Sequence, residues 1–234
     1  MASVIPAANI TAAGMDQVTV TTPTPGGGTS GNETFTVFTP GSPNPTRIAG
    51  GTLSLPLMSS DQRYAVYVLA SANDGVTEVP GSMQNIFVSD TCTGVPSGCT
   101  PSTTLVSIGM SGTPANGDSI SPAISANGRY VSFLSAATNL VTTDTNGAMD
   151  AFVRDTCAGT SSGCTPSTQL VSVTTSGTQA NGATTSATID AAGRYITFES
   201  VATNLGSVSS SGGIFLRDTC AGTLGCTPST QPLN

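Results

Sequence analysis

The stretch NGRYVSFLSAATNL, residues 127–140, is repeated as AGRYITFESVATNL at residues 192–205, and its first half has a counterpart in DQRYAVYVLAS at residues 61–71. The three copies align on their arginines, which are Arg63, Arg129 and Arg194. These arginines are 66 and 65 residues apart in the sequence. A nearly fixed period of this length indicates three structural copies of one unit.

Each copy contains the pattern of four short strands. In the second copy the strand segments are SISPAIS at 119–125, RYVSFLS at 129–135, DAFVRDT at 150–156 and TQLVSV at 168–173. Apolar and polar residues alternate in YVSFLS and AFVRD, which is typical of half-buried strands. No segment has the 3.6-residue apolar period of a helix. We therefore predict an all-β fold with three four-stranded β-propeller-type blades, at about residues 51–110, 119–175 and 184–234.

The blocks SPAIS, NGRYVSF, ATNLV and DAFVRD of the second copy are similar to the TolB-like β-propeller repeats of secreted and surface proteins of bacteria. The resemblance covers about residues 51–234 and implies a propeller-type fold, but no activity, because propellers have many functions. Closed propellers typically have four to eight blades, so three blades leave open edges. We expect either further blades or association with another copy, in a ring or a fibre. The third copy ends in TPSTQPLN, which predicts a fourth strand supplied by a partner.

A different module precedes the repeats. The segment from Ile5 to Val37 contains AAGMDQVTVTTP, PGGGTS and a closing ETFTV, and it resembles the C-terminal half of the bacterial Ig-like domains called IPT/TIG. Half of such a domain buries too little apolar surface to fold alone. We therefore expect the partial Ig-like strands of residues 1–38 to pack on the repeats or on another chain. Residues 39–50, which include TPGSPNPT, are predicted to form a Pro/Gly linker.

All six cysteines lie in three copies of a DTC…GCTPST phrase. A structural zinc site uses four ligands in close-spaced pairs, often with His, and the chain has no His. Redox catalysis favours a C-x-x-C pair, which is also absent. The sequence therefore predicts one disulfide in each copy, namely Cys92–Cys99, Cys157–Cys164 and Cys220–Cys226. Disulfides imply an oxidising compartment, so we expect a secreted or cell-surface protein.

The composition excludes several kinds of function. The net charge is −7 and only 8% of the residues are charged, which argues against nucleic acid as a partner. All six basic residues are arginines, so imidazole and lysine catalysis are both excluded. No apolar run is long enough to span a membrane. The isolated Glu78 and Glu199 do not indicate the facing carboxylates of a glycosidase, and we predict that the chain is not an enzyme.

The loop TTDTNGAMDAF has the spacing of a calcium-binding loop. The ligand positions 1, 3, 5 and 9 are occupied by Thr142, Asp144, Asn146 and Asp150. The loop departs from the pattern in its first residue, which is usually Asp, and in Val153 at position 12, which is usually Glu. The alternative is a plain Asp-Asn-Gly turn in which Asp150 binds backbone amides. Calcium is the only cofactor that the sequence suggests.

An Arg-Tyr pair recurs in every copy, together with an Asp two residues before the first cysteine. Recurrence in three copies favours a structural role, such as an Arg–carboxylate pair between blades. We predict a non-catalytic structural or adhesive protein that self-associates through open blade edges and the partial Ig-like strands. Its partner is then a second copy or another surface chain. The alternative is a Ca²⁺-assisted carbohydrate- or ligand-binding module.

Overall fold

The computed structural model describes residues 56–70, 83–95, 97–160, 163–206 and 212–233, together with the backbone of 14–18 and 33–37. The chain divides into two compact units, Met1–Asn44 and Pro45–Asn234. In the first unit, β1 (Gly14–Val18) pairs with β2 (Glu33–Val37) in antiparallel register. The rest of the segment that resembles an IPT/TIG domain and the predicted linker at 39–50 lie outside the described residues, and the Ig-like resemblance stays a prediction.

The second unit consists of three four-stranded antiparallel sheets, each built from four consecutive strands. Sheet 1 contains β3 (Leu57–Met58), β4 (Tyr64–Ala70), β5 (Gln84–Asp90) and β6 (Ser102–Leu105). Sheet 2 contains β7 (Ser119–Ile124), β8 (Tyr130–Ser135), β9 (Asp150–Asp155) and β10 (Ser167–Leu170). Sheet 3 contains β11 (Thr184–Ile189), β12 (Tyr195–Ser200), β13 (Gly213–Asp218) and β14 (Ser229–Pro232). The prediction of an all-β fold with three four-stranded, propeller-type blades is confirmed.

The described residues contain no helix, and therefore none that is long and apolar enough to cross a membrane. The three sheets also share one register. Tyr64 pairs with Asp90 in sheet 1, and the same pairing joins the first residue of the second strand to the last residue of the third in sheets 2 and 3. Equivalent residues of the three copies therefore occupy equivalent places in their sheets.

Successive sheets pack face to face. Because alternate residues of a strand point to opposite faces, one strand can contribute side chains to the cores on both sides of its sheet. Tyr64 and Val66 of β4 belong to one buried cluster with Phe133 of β8. Tyr130 of β8 belongs to a second cluster with Phe198 of β12. As a result, every residue of β8 is buried. Full burial of one such large apolar side chain contributes roughly 1.5–3 kcal/mol, so the cores between the sheets hold this unit together.

The prediction that the third copy needs a fourth strand from a partner is wrong. β14 pairs with β13 over four residues, from Phe215–Pro232 to Asp218–Ser229. β6 and β10, the fourth strands of the other sheets, are also four residues long. The segment STQP has no apolar alternation that would indicate a strand. The strand is held by its backbone hydrogen bonds to β13.

Candidate functional site

Each sheet carries a disulfide in the loop between its third and fourth strands. The bonds join Cys92 to Cys99, Cys157 to Cys164 and Cys220 to Cys226, with Cα–Cα distances of 5.6 to 5.7 Å. The described residues include no free cysteine. These three bonds agree with the predicted pairing and indicate an oxidising environment.

An arginine–aspartate pair lies beside each disulfide. In sheet 2, Arg129 donates from Nε to Oδ1 of Asp155 at 2.9 Å and from Nη2 to Oδ2 at 2.7 Å. Its guanidinium also lies 5.0 Å from the ring centroid of Tyr130. Sheets 1 and 3 repeat this arrangement. The predicted Arg–carboxylate pair between blades is therefore wrong in its location, because each pair joins neighbouring strands of one sheet.

In each copy, a carboxylate oxygen of the aspartate and the sulfurs of the two cysteines lie within 4.8 Å of one another, as they could around a metal ion. Nevertheless, the sulfurs are joined in a disulfide and cannot act as thiolate ligands. Both oxygens of Asp155 accept hydrogen bonds from Arg129, and Oδ1 also accepts one from the N–H of Cys157. Burial raises the pKa of Asp155, but these hydrogen bonds outweigh it and hold the pKa below its ordinary value. The arrangement favours a structural clamp.

The predicted calcium loop brings together two of its acids, which share one amide. Nε2 of Gln179 donates to Oδ1 of Asp144 at 2.8 Å and to Oδ2 of Asp150 at 2.9 Å. The orientation of the amide is fixed, because its Oε1 accepts a hydrogen bond from the N–H of Thr145 at 2.9 Å. Ser172 donates to the other oxygen of Asp150 at 2.6 Å. The amide of Gln179 thus occupies the place between the carboxylates.

Both acids are buried, and burial raises the pKa of Asp144 and of Asp150 above the ordinary value. Asp150 accepts a hydrogen bond on each oxygen, from Ser172 and from Gln179, and both bonds favour the ionised form. Oδ2 of Asp144 is buried and has no hydrogen-bond partner. This oxygen is therefore the position in the loop that is open to a proton or to a cation.

Of the other two predicted ligands, Asn146 lies close enough to Asp150 for its side chain to lower the pKa of that carboxyl. Asn146 donates to the carbonyl of Ala180 at 2.9 Å and accepts from the N–H of Ala148 at 2.7 Å, as expected for the plain turn. Thr142 is exposed and lines a groove that also contains Arg154 and Thr168. Gln179, which no motif in the sequence marks, is 35 residues from Asp144 in the sequence.

A larger feature is the face of sheet 3 that points away from sheet 2. We call it the outer face, and it consists of Tyr195, Thr197, Glu199, Ile214 and Leu216. The exposed fraction is 38% for Tyr195 and 46% for Ile214, whereas Tyr64 and Tyr130 are 4% and 8% exposed. Neither sheet 1 nor sheet 2 covers the outer face. The corresponding faces of sheets 1 and 2 are covered by the sheet that follows each of them.

The covered faces show how one sheet receives the next. A Cβ atom added to Gly128, in the first turn of sheet 2, would lie 2.0 Å from the Tyr64 ring of sheet 1. A Cβ atom on Gly193, in the first turn of sheet 3, would lie 2.2 Å from the Tyr130 ring. Both glycines have a positive φ, of 74° and 79°. Each tyrosine therefore contacts the bare backbone of a turn glycine in the following sheet.

No protein-family profile and no curated protein matches the sequence. Among solved structures, the chain is similar to TolB from Acinetobacter baumannii at 18% identity and a TM-score of 0.41, over 79% of this chain and 32% of that one. It is similar to the β-propeller domain of the Trilobed protease from Pyrococcus furiosus at 14% identity and a TM-score of 0.41, over 78% and 43%. The chain is also similar to the tricorn protease, at 12% identity and a TM-score of 0.45, over 86% of this chain and 19% of that one. The chain thus spans less than half the length of each structure.

Proposed function

We propose that the chain is a non-catalytic structural or adhesive part of an extracellular or cell-surface protein, and that it holds another polypeptide on the outer face of sheet 3. The observation that carries this proposal is the contrast between the three copies. The same face is buried in sheets 1 and 2 and exposed in sheet 3, where Tyr195 and Ile214 remain accessible. Exposed apolar side chains grouped on one face of a sheet are typical of an interaction surface.

The repeated chemistry supports a structural role. The arginine–aspartate pair and the disulfide occur once in each sheet, with the same partners and nearly the same distances. A catalytic site is expected once, at a place where the copies differ. The three disulfides support a location outside the cell, because they persist in oxidising compartments.

Hydroxyl-radical footprinting tests the proposal at Tyr195. Two samples are labelled: the purified chain at low concentration, and the same chain within its native assembly. We expect the labelling of Tyr195 to fall in the assembly, while Met110, which is 57% exposed, stays labelled and Tyr130 stays protected in both samples. Equal labelling of Tyr195 in the two samples would remove the proposal.

The predicted self-association is one form of this proposal, and the same experiment tests it. If a second copy covers the outer face, concentrating the purified chain protects Tyr195, and sedimentation velocity shows a larger species over the same range. The participation of blade edges and of the partial Ig-like strands stays a prediction. Labelling that does not change with concentration assigns the outer face to a different chain.

A calcium-assisted ligand module is the second candidate. It is favoured by Oδ2 of Asp144, a buried carboxylate oxygen without a hydrogen-bond partner. If Ca²⁺ binds there and bridges to Asp150, it has to displace the amide of Gln179 from between the two acids. Millimolar Ca²⁺ should then raise the melting temperature of the protein relative to EDTA, and Asp144→Asn should abolish that increase. A melting temperature that is the same in Ca²⁺ and in EDTA would leave the loop as a plain turn.

A further inference from the structure

We infer that the outer face of sheet 3 receives a sheet of the same repeat type from another polypeptide, and that this sheet has glycine in its first turn. The inference rests on the proposed function and specifies the partner's chemistry. The register of the three sheets is the same, so Tyr195 occupies the place that Tyr64 and Tyr130 occupy in sheets 1 and 2. Each of those tyrosines is covered by a turn glycine of the following sheet.

A backbone hydrogen bond between the turns supports the same geometry. The N–H of Ser60 in sheet 1 donates to the carbonyl of Ala126 in sheet 2 at 3.1 Å. The N–H of Ala126 then donates to the carbonyl of Ala191 in sheet 3 at 3.0 Å. The N–H of Ala191 has no protein partner among the described residues. It is the donor that the next turn in the series would use.

The first turn of sheet 1 excludes a head-to-tail copy of this chain. Gln62 stands where the other two sheets have glycine, and its φ of 60° is close to theirs. At the geometry of the internal interfaces, its Cβ would enter the ring of Tyr195, as an added Cβ at Gly128 would enter the ring of Tyr64. The faces of sheets 2 and 3 that could dock in this way are already covered within the chain. The partner is therefore a different sheet.

The polar residues of the outer face add a second requirement. Glu199 occupies the place of Val68 in sheet 1 and Leu134 in sheet 2. A carboxylate that is buried without a partner is strongly unfavourable, so the incoming sheet has to present a donor such as arginine to Glu199. The surrounding Tyr195 and Ile214 supply the apolar contact.

The experiment appends a fourth repeat to the full chain. A copy of residues 172–233 is joined directly after Leu233, which pairs with β13 as Val171 pairs with β9. The copy carries Tyr195→Phe, so that Tyr195 of sheet 3 is a unique reporter. The fusion is made with Glu199 retained in sheet 3 and with Glu199→Leu, which reproduces Leu134. The absence of free thiols verifies that the copy has formed its own disulfide.

In the Glu199→Leu form, we expect the radical labelling of Tyr195 to fall to the level of Tyr130. With Glu199 retained the fall should be smaller, because the copy covers the carboxylate with the apolar residues that cover Leu134 in sheet 2. In the copy, Gly193→Ala should restore the labelling of Tyr195. The matched control is Gly177→Ala in the copy, because Gly177 has a φ of 85° and nothing within 4 Å of an added Cβ. This control should leave Tyr195 protected.

Two results would overturn the inference. One is a copy that forms its disulfide while Tyr195 stays as reactive as in the chain alone, and the other is a copy that fails to fold on this face in both forms. Neither result touches the proposed function, which depends on the protection of Tyr195 in the native assembly. Protection there without protection in the fusion would identify a partner of another kind.

Discussion

Substituting Gly128 by alanine probes the contact by which one sheet receives the next. The new methyl group would lie 2.0 Å from Cδ2, 2.3 Å from Cγ and 2.8 Å from Cβ of Tyr64. These atoms are near the root of the side chain, so the ring cannot move aside by a rotation at its tip alone. The sheet itself has to shift. Overpacking of this kind costs about 1–3 kcal/mol.

The backbone contributes a separate cost, because Gly128 has a φ of 74°. A left-handed conformation costs a non-glycine residue roughly 1–2 kcal/mol. Gly112 isolates this term, since its φ is 78° and an added Cβ meets nothing within 4 Å. We therefore expect Gly128→Ala to lower the free energy of unfolding by about 2–5 kcal/mol and Gly112→Ala by about 1–2 kcal/mol.

The assay is equilibrium unfolding in guanidinium chloride with the disulfides intact, and it is extended to a double-mutant cycle. In a Tyr64→Ala background the ring is absent, and the cost of Gly128→Ala should fall to that of Gly112→Ala. Equal costs for the two glycine substitutions in the wild-type chain would refute the steric reasoning. So would a cost of Gly128→Ala that is unchanged when Tyr64 is removed.

Three further predictions concern the clamp and the buried acids. Replacing Cys157 and Cys164 by serine should cost about 2–3 kcal/mol in chemical unfolding, as expected for opening a loop of this length, and no loss would contradict a structural disulfide. Asp155→Asn should cost about 1–2 kcal/mol at pH 7. Because the folded-state pKa is lowered, this cost should begin to shrink near the unfolded-state pKa of about 3.9 and be lost only as the pH falls through the lower folded-state pKa; a constant difference would contradict the ion pair. In EDTA, Asp144→Asn should stabilise the protein by roughly 1 kcal/mol at pH 7, because the raised pKa of Asp144 means that the fold disfavours its ionised form. This gain should disappear below the unfolded-state pKa of about 3.9, where the carboxyl is protonated in both states. Destabilisation at pH 7 would contradict the prediction.

The sheets could be predicted from the sequence because their signal is local. Alternation within YVSFLS reports a strand directly, and the repetition of the pattern shows that three such sheets are present. The disulfides were accessible for the same reason, since each pair is six or seven residues apart. The fourth strand of sheet 3 was missed because STQP has no apolar alternation and is recognised only by its pairing with β13.

The clamp and the amide bridge depend on contacts between distant segments. Arg129 and Asp155 are 26 residues apart and meet because β8 pairs with β9 from their first to their last residues. The sequence shows both residues but not the register that joins them within one sheet. Gln179 is likewise placed beside Asp150 by the connection between sheets 2 and 3, and no local pattern marks it.

Comparing the sequence copies with one another reveals two further features, a pair of Asn–Thr hydrogen-bonded clasps and the outer face. Asn116 donates to the hydroxyl of Thr138 and accepts from its N–H, and Asn181 makes the same two bonds with Thr203. The recurrence of Ala-Asn-Gly and Ala-Thr-Asn at one spacing in the second and third copies marks these clasps. The outer face is marked by Glu199, a charged residue at a position that is apolar in both other copies.

The most direct test of the central claim is a cryo-electron microscopy map of the native assembly at a resolution that shows side chains. We predict a fourth four-stranded sheet from another chain against the outer face, with a turn glycine on the ring of Tyr195 and a donor opposite Glu199. Solvent over Tyr195 and Ile214 would contradict the claim that this face binds another chain. A second copy of this chain on that face, docked through its own sheet 1, would contradict the exclusion that rests on Gln62.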